Sequence, residues 1–288
     1  MTFVQDFFEE RPVFRFDEFL SVHSVRGGRS PATTATVLKQ AVKAGRLVNL
    51  RRGLYATVRE GESGGSIDID PFVLACRLAP DAAVAYRSAL VFWGKASSAS
   101  RLVFYLAPRR ARPFVFRGLE YVPVLMPGPV RGLTDLASGI VSERRQGLPV
   151  RVTSLERALV DVLDAPRYGG SWTETWRSLE SVGDVDLDFI VLYAIRLGCA
   201  LTVGRVGFFL EQHRQALGVD ERYLDALRRH APRQPIYLDS RREPGRLVAG
   251  WNLVVPDYLF VMPAKAGIQP VEALDSGVRR NDDPNQPR

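Results

Sequence analysis

Two cysteines and three histidines in 288 residues leave little material for redox or soft-metal chemistry. Cys76 and Cys199 form no CxxC and sit among apolar residues. That usage excludes a disulfide framework and predicts two buried free thiols in a reducing compartment. His23, His213 and His230 have no carboxylate or cysteine at ligand spacing, so no metal is expected. The chain lacks GxSxG, P-loop and GxGxxG patterns, so neither a catalytic set nor a cofactor is expected. No run of 18 apolar residues occurs, which argues against a membrane-spanning helix. Met1 to Arg11 is acidic and aromatic rather than basic then apolar, so a secretory leader is not expected and the expectation is a cytoplasmic protein.

One further absence is local. From Phe19 to Arg59 there are eight basic residues and no acidic one. Residues 1–60 carry ten Lys/Arg against six Asp/Glu, a net of +4, whereas residues 61–258 carry 25 against 22. The overall net charge of +7 says little by itself, but a 41-residue stretch without a carboxylate keeps negative charge away from a negative partner. Phosphate is the partner this favours; a solvated basic face is the plainer alternative.

The chain is long enough for about two domains. Phe3 to Glu10 reads as a short helix ended near Pro12. Asp17 to Ser24 reads as a second, with Asp17 as its N-cap. Ser30-Pro31 opens a third, with Ser as N-cap and Pro at the first helical position, and Gly45 closes it. Leu47 to Leu50 and Leu54 to Val58 flank Arg51-Arg52-Gly53 as a hairpin. Three helices followed by a hairpin is the order of a winged helix-turn-helix, which predicts a DNA-binding domain over residues 1–60. Residues 61–66 read as a Gly-rich linker.

At 100° per residue the third helix divides into two faces. Leu38, with Ala35, Ala41 and Val42, is the expected buried side. Thr33, Thr36, Gln40 and Lys43 fall opposite, with Lys39 at the flank. Thr and Gln suit base edges in the major groove, and Lys suits guanine or phosphate. Arg46 after the helix and Arg51 and Arg52 at the hairpin tip are expected to reach phosphate or the minor groove. The expected partner is therefore double-stranded DNA.

Residues 67–258 alternate helical and β-prone stretches, so the fold class is α+β: an N-terminal winged helix-turn-helix, a mixed α/β C-terminal domain and, from 259 to 288, a disordered tail. Thr153 with Glu156 reads as a capping box for a helix whose Leu155, Leu159, Val162 and Leu163 share a face. Asp161 and Asp164 then lie on an expected solvated helix, where an i, i+3 pair usually binds nothing. Pro256-Asp257 lacks the downstream acid-x-Lys of a nuclease. The basic run Arg109-Arg110-Ala111-Arg112 reads as a solvated loop or as a contact to DNA or to a partner.

These residues support a family resemblance. Phe14-Arg15-Phe16-Asp17-Glu18-Phe19-Leu20, Gly45-Arg46-Leu47 and Arg51-Arg52-Gly53-Leu54-Tyr55 resemble the N-terminal winged helix of AbiEi-type antitoxins. Tyr86-Arg87-Ser88-Ala89-Leu90, the stretch from Val152 to Asp161, Gly169-Gly170 and Trp251-Asn252-Leu253 resemble later parts of that family. The similarity covers roughly residues 10–255. It implies a type IV toxin–antitoxin system associated with phage defence. The antitoxin of such a system represses its own operon at inverted repeats and counters a nucleotidyltransferase-like toxin, directly or indirectly. It also implies that Glu156, Arg157 and Asp161 are structural or antitoxic rather than catalytic, with an oligomer, if any, formed on DNA. The tail departs from the family: Met262 to Gln269 and Leu274 to Asp283 resemble a translated intergenic repeat. Two other functions stay open at this point, a ligand-responsive winged-helix transcription factor and a DNA-processing enzyme with a winged-helix targeting domain.

Overall fold

The computed structural model describes residues 3–27, 30–59 and 67–260. The expected linker and the repeat-like segment lie outside these residues. The N-terminal unit runs α1 (Phe3–Glu10), β1 (Val13–Arg15), α2 (Phe16–Gly27), α3 (Pro31–Lys43), β2 (Leu47–Arg51) and β3 (Leu54–Thr57). Its three strands form one antiparallel sheet in the order β1-β3-β2. Strand β1 goes unrecognised in the sequence, because three residues before a helix carry no periodicity. Phe7, Phe8, Phe14 and Phe19 gather beneath the helices with ring centroids 5.0–6.2 Å apart. Rings at that spacing add attraction beyond the area they bury.

The start of α2 corrects one expectation. Asp17 is not the N-cap. The helix begins at Phe16, and the Glu18 carboxylate accepts the Arg15 N–H at 2.6 Å. This is the returning half of a capping box, with Glu at the third helical position.

The second region comprises α4 (Pro71–Ala75), β4 (Ala83–Val84), α5 (Arg87–Phe92), β5 (Leu102–Ala107), β6 (Phe114–Phe116), β7 (Leu119–Leu125), β8 (Ile140–Arg145) and β9 (Leu148–Thr153). It continues with α6 (Leu155–Asp164), α7 (Trp172–Glu180), α8 (Leu187–Arg196), α9 (Ala200–Gln212), α10 (Arg214–Leu217), α11 (Glu221–Arg228), β10 (Ile236–Tyr237), β11 (Arg246–Val248) and β12 (Leu253–Val255). Strands β4 to β9 make a six-stranded mixed sheet ordered β6-β7-β5-β4-β9-β8, and β10, β12 and β11 make a small second sheet. The protein is therefore mixed α+β with several sheets.

Helix α6 lies at the centre of the helical layer, against α5, α8 and α9. Ala158, Leu159, Val160, Val162 and Leu163 have no exposed surface. Its N-cap is Ser154, which accepts the Arg157 N–H, and not Thr153. Glu156 instead accepts the Asp186 N–H at 3.3 Å. The expectation of a solvated helix is also overturned, since Asp161 is 1% exposed. The carboxylate survives burial because Arg157 Nε reaches it at 3.1 Å and the Tyr193 hydroxyl donates to it at 2.8 Å. Burial pushes the Asp161 carboxyl up, and these two partners pull against it. Asp164 accepts the Thr202 hydroxyl at 2.5 Å.

Two further expectations change. Cys76 is buried, and burial raises its thiol, but Cys199 is exposed at the start of α9. Packed structure also continues past residue 258: Leu259 is buried, and the Phe260 ring packs on Phe208 at 5.5 Å. Trp251 is buried over Gly207 of α9, where any Cβ would overlap its indole, and its Nε1 donates to Glu211 at 2.8 Å.

A polar cluster joins the two halves of the second region. Arg87 donates to the Ser98 carbonyl at 3.0 Å and to Glu174 at 3.3 Å. Glu174 also accepts from the Ser98 hydroxyl at 2.6 Å and from the Ser171 N–H at 3.0 Å, completing the capping box of α7. The Ser98 and Ser171 hydrogen bonds hold its carboxyl down at about 2 against an ordinary 4.5. Ionised Glu174 therefore stabilises the fold above about pH 4.5, and this contribution is lost as pH falls towards about 2. Glu174→Gln is expected to melt below the wild type at pH 7. The gap should narrow in thermal melts taken from pH 4.5 down to pH 2; a gap that widens on acidification would contradict the assignment.

Candidate nucleic-acid interface

Helix α3 is built as its sequence dictates. Ser30 Oγ accepts the Thr33 N–H at 3.3 Å, and Pro31 occupies the first turn. At the other end Gly45 adopts φ +73°, a region other residues avoid. Its N–H meets the Val42 carbonyl at 3.0 Å, and the Arg46 N–H meets Ala41 at 3.0 Å, which satisfies the last carbonyls of the helix. Thirteen residues make a rod about 20 Å long.

The inward side of α3 consists of Thr34, Leu38 and Ala41. Ala35, expected inside, is exposed, and Thr34 takes its place. The reason is a polar contact that periodicity does not register: Thr34 Oγ1 meets His23 Nδ1 of α2 at 2.8 Å, in a buried position. That bond rotates the helix slightly from the purely apolar prediction.

Thr33, Thr36, Lys39, Gln40 and Lys43 are exposed, as is Arg46 just beyond the helix. The first five share the side of α3 away from Leu38, with Lys39 at its flank, and Arg46 follows it in the chain. Thr36 Oγ1 bonds back to the Ala32 carbonyl at 3.0 Å, leaving its methyl and a lone pair outward. Ion pairs of this unit include Arg11–Glu10, Arg15–Asp17 and Glu18–Arg77. Among the described residues, none engages Lys39, Lys43, Arg46 or Arg52.

The hairpin is placed differently from expectation. Val13, Leu54 and Ala56 belong to the core of the second region, whereas Phe14, Leu47 and Tyr55 face the helices. Tyr55 stacks on Phe14 at 5.8 Å. The small sheet is thus covered on both faces. Strand β2 pairs Asn49 with Tyr55 but Arg51 with Leu54, so a bulge falls at Leu50. One inserted residue shifts the alternation. Arg51 therefore leaves the face of Leu47 and Asn49 and joins that of Val48, which meets the second region.

Its guanidinium donates to the Leu78 carbonyl and lies 5.6 Å over the Phe114 ring. Arg51 is thus a clasp between the two parts, and the expectation that it reaches phosphate is corrected. Arg52, beside it, is exposed. Seating Arg51 on Phe114 also puts the hairpin tip beside the exposed run Arg109-Arg110-Ala111-Arg112, which ends two residues before that ring. Sequence separation hid this juxtaposition; the run's lack of carboxylates was the available signal.

Elsewhere, no three His, Cys, Asp or Glu side chains gather into a metal-holding group among the described residues. No helix among them is long and apolar enough to cross a membrane. No protein-family model and no curated protein matches the chain. The fold is similar to that in the crystal structure of the RV2827C protein from Mycobacterium tuberculosis, with a TM-score of 0.52 over 85% of this chain and 87% of that one, at 18% sequence identity. At that identity the likeness extends to the fold alone.

Proposed function

We propose that residues 3–59 form a winged helix-turn-helix that places α3 in the major groove of duplex DNA, and that the protein is a regulator of the AbiEi antitoxin type rather than an enzyme. The observation that carries this reading is the outer side of α3. It presents Thr33, Thr36, Gln40, Lys39 and Lys43 with no carboxylate among them and leads into exposed Arg46. A surface helix without a groove to enter gains solubility from mixing Glu with Lys; an acid-free face suits phosphate. The order helix, strand, helix, helix, hairpin agrees with the reading, as does the packing of α3 against α2 and β2. Lys39, Lys43, Arg46 and Arg52 contact phosphate, and Thr33, Thr36 and Gln40 face base edges. The antitoxin part rests on the resemblance in residues 10–255: self-repression at inverted repeats, and opposition to a nucleotidyltransferase-like toxin encoded alongside.

The test is retardation of the DNA upstream of the protein's own gene at two salt concentrations. Four phosphate contacts per protomer give a log–log salt slope near −3.6, so affinity is expected to fall about 100-fold between 50 and 200 mM salt. No retardation at 50 mM salt, or an affinity indifferent to salt, would reject the DNA reading. Coexpression with the neighbouring reading frame tests the antitoxin part separately: rescue of growth from a nucleotidyltransferase-like product supports it, and unrelieved toxicity removes it.

A further inference from the structure

A cleft of about 770 Å³ opens in the second region, far along the chain from α3, between the C-terminal end of α6, the first turns of α7 and α9, and residues 235–242. Arg167, Arg205, Arg241 and Arg242 line it, against two carboxylates, Asp164 and Asp239. Both carboxylates have neutral partners: Asp164 accepts from Thr202, and Asp239 accepts from Trp172 Nε1 at 2.6 Å and the Arg241 N–H at 2.9 Å. The cleft therefore holds a surplus of two positive charges.

Arg205 is the unusual member. It is 5% exposed, and it donates to three main-chain carbonyls, Leu238 at 2.7 Å, Leu163 at 2.8 Å and Asp164 at 3.2 Å. It makes no ion pair among the described residues. Burial lowers its hold on the proton, against the opposing pull of Cys199, Asp164 and Asp239. A buried cation hydrogen-bonded only to carbonyls, with the carboxylates of Asp164 and Asp239 attracting it from a distance but not bonded to it, is costly unless an anion completes it. The Asp239 turn brings the exposed Arg241 and Arg242 into the lining of the same cleft, with Arg242 at φ +54°, a strained value for a side-chain-bearing residue. Arg242 makes no ion pair among the described residues, and Arg241 has only a 3.9 Å contact to Glu243. Tyr237 lines the same cleft with 39% of its surface open, in contrast to Trp172, which is already covered by Arg205.

We propose that this cleft binds a mononucleotide, with its phosphate held by Arg205, Arg241 and Arg242 and its base laid against Tyr237. The volume falls in the range of small-ligand sites. A phosphate monoester carries close to two negative charges at neutral pH, which matches the surplus. Guanidinium forks suit phosphate oxygens, and an open phenol ring suits a base of any identity. The DNA reading plays no part in this inference.

The test uses the full chain without DNA, titrated calorimetrically with AMP, GMP, CMP, UMP and inorganic phosphate. Saturable binding of at least one mononucleotide is expected, weakened about tenfold or more by Arg241→Ala/Arg242→Ala, since each lost contact is charge-assisted. Both arginines are exposed, so this variant keeps its fold where an Arg205 variant would not. Tyr237→Ala should weaken the nucleotide and leave inorganic phosphate unchanged. Cys199 lines the cleft and is the chain's exposed thiol, with Cys76 buried, so a bound nucleotide should slow alkylation of Cys199 by iodoacetamide severalfold. Failure of all four nucleotides to bind, undiminished binding by the double-arginine variant, or an unprotected Cys199 at saturation would overturn the proposal. Inorganic phosphate binding as tightly as the nucleotide would remove the base from it.

Discussion

A variant carrying Lys39→Ala, Lys43→Ala, Arg46→Ala and Arg52→Ala is expected to lose the retarded DNA band at 0.2 M salt while melting at the wild-type temperature. Each of the four side chains is exposed. Removing an exposed, unpaired charge changes stability by no more than about 0.5 kcal/mol. Its effect on binding is far larger, because each phosphate contact releases condensed counterions. Four such contacts account for about two orders of magnitude in affinity at 0.2 M salt, and their loss should flatten the salt slope by nearly four. Arg51→Ala serves as the contrast, because it removes the bond to the Leu78 carbonyl and the stacking on Phe114 without touching the outer side of α3. That variant should melt lower and keep most of the salt slope. If instead Arg51→Ala abolished retardation with an unchanged melt, and the fourfold variant bound normally, the surface assigned to DNA would be the wrong one.

The second large effect concerns stability. Arg157→Ala is expected to cost about 3–5 kcal/mol, since it strands the Asp161 carboxylate in a place with no water to replace the lost charge. Arg157 and Asp161 are 0% and 1% exposed, and the guanidinium also reaches the Ser138 carbonyl and lies 5.3 Å over the Tyr193 ring. Replacing both members with apolar residues of similar volume, Arg157→Met with Asp161→Leu, should recover most of that loss, because it removes the desolvation penalty together with the attraction. Equilibrium urea denaturation reads both. A loss under about 1 kcal/mol for the single variant would mean that the pair is not buried and bonded as described. Recovery in the double variant would mark this pair as structural, one of the two roles, structural or antitoxic, that the family resemblance implies for it.

The termini of α3 show where local chemistry suffices. Ser30, Pro31 and Gly45 act within one turn of their own position, so their reading transfers directly to the structure. The outward set Thr33, Thr36, Gln40 and Lys43 follows from the same 100° geometry, and the structure leaves all four exposed. Ala35 and Thr34 exchanged places because a histidine eleven residues away offered a buried hydrogen bond. Helical periodicity counts apolar residues and does not register such a bond.

Asp17, Thr153, Cys199 and Arg51 were misread for related reasons. At α6 the adjacent Thr153 and Ser154 are both competent caps, but Thr153 pairs with Ile140 as the last residue of β9, which leaves Ser154 to cap the helix; at α2 the helix already begins at Phe16, so Asp17 falls inside its first turn. Cys199 has apolar neighbours in sequence, yet the first turn of α9 faces an open cleft. Arg51 was turned by a bulge, a feature of pairing between two strands rather than of either strand alone.

The amino-acid sequence by itself determined the helix-rich, carboxylate-poor N-terminal unit, the ends of α3 and the composition of its outer side, because each depends on neighbours within a few residues. Only the tertiary structure decided that the hairpin sheet is covered on both faces, that Arg51 belongs to the second region, that Arg157 and Asp161 share a dry interior, and that four arginines from three segments line one cleft. Those outcomes depend on which distant surfaces meet, and burial assigns a charge its role only after they have met.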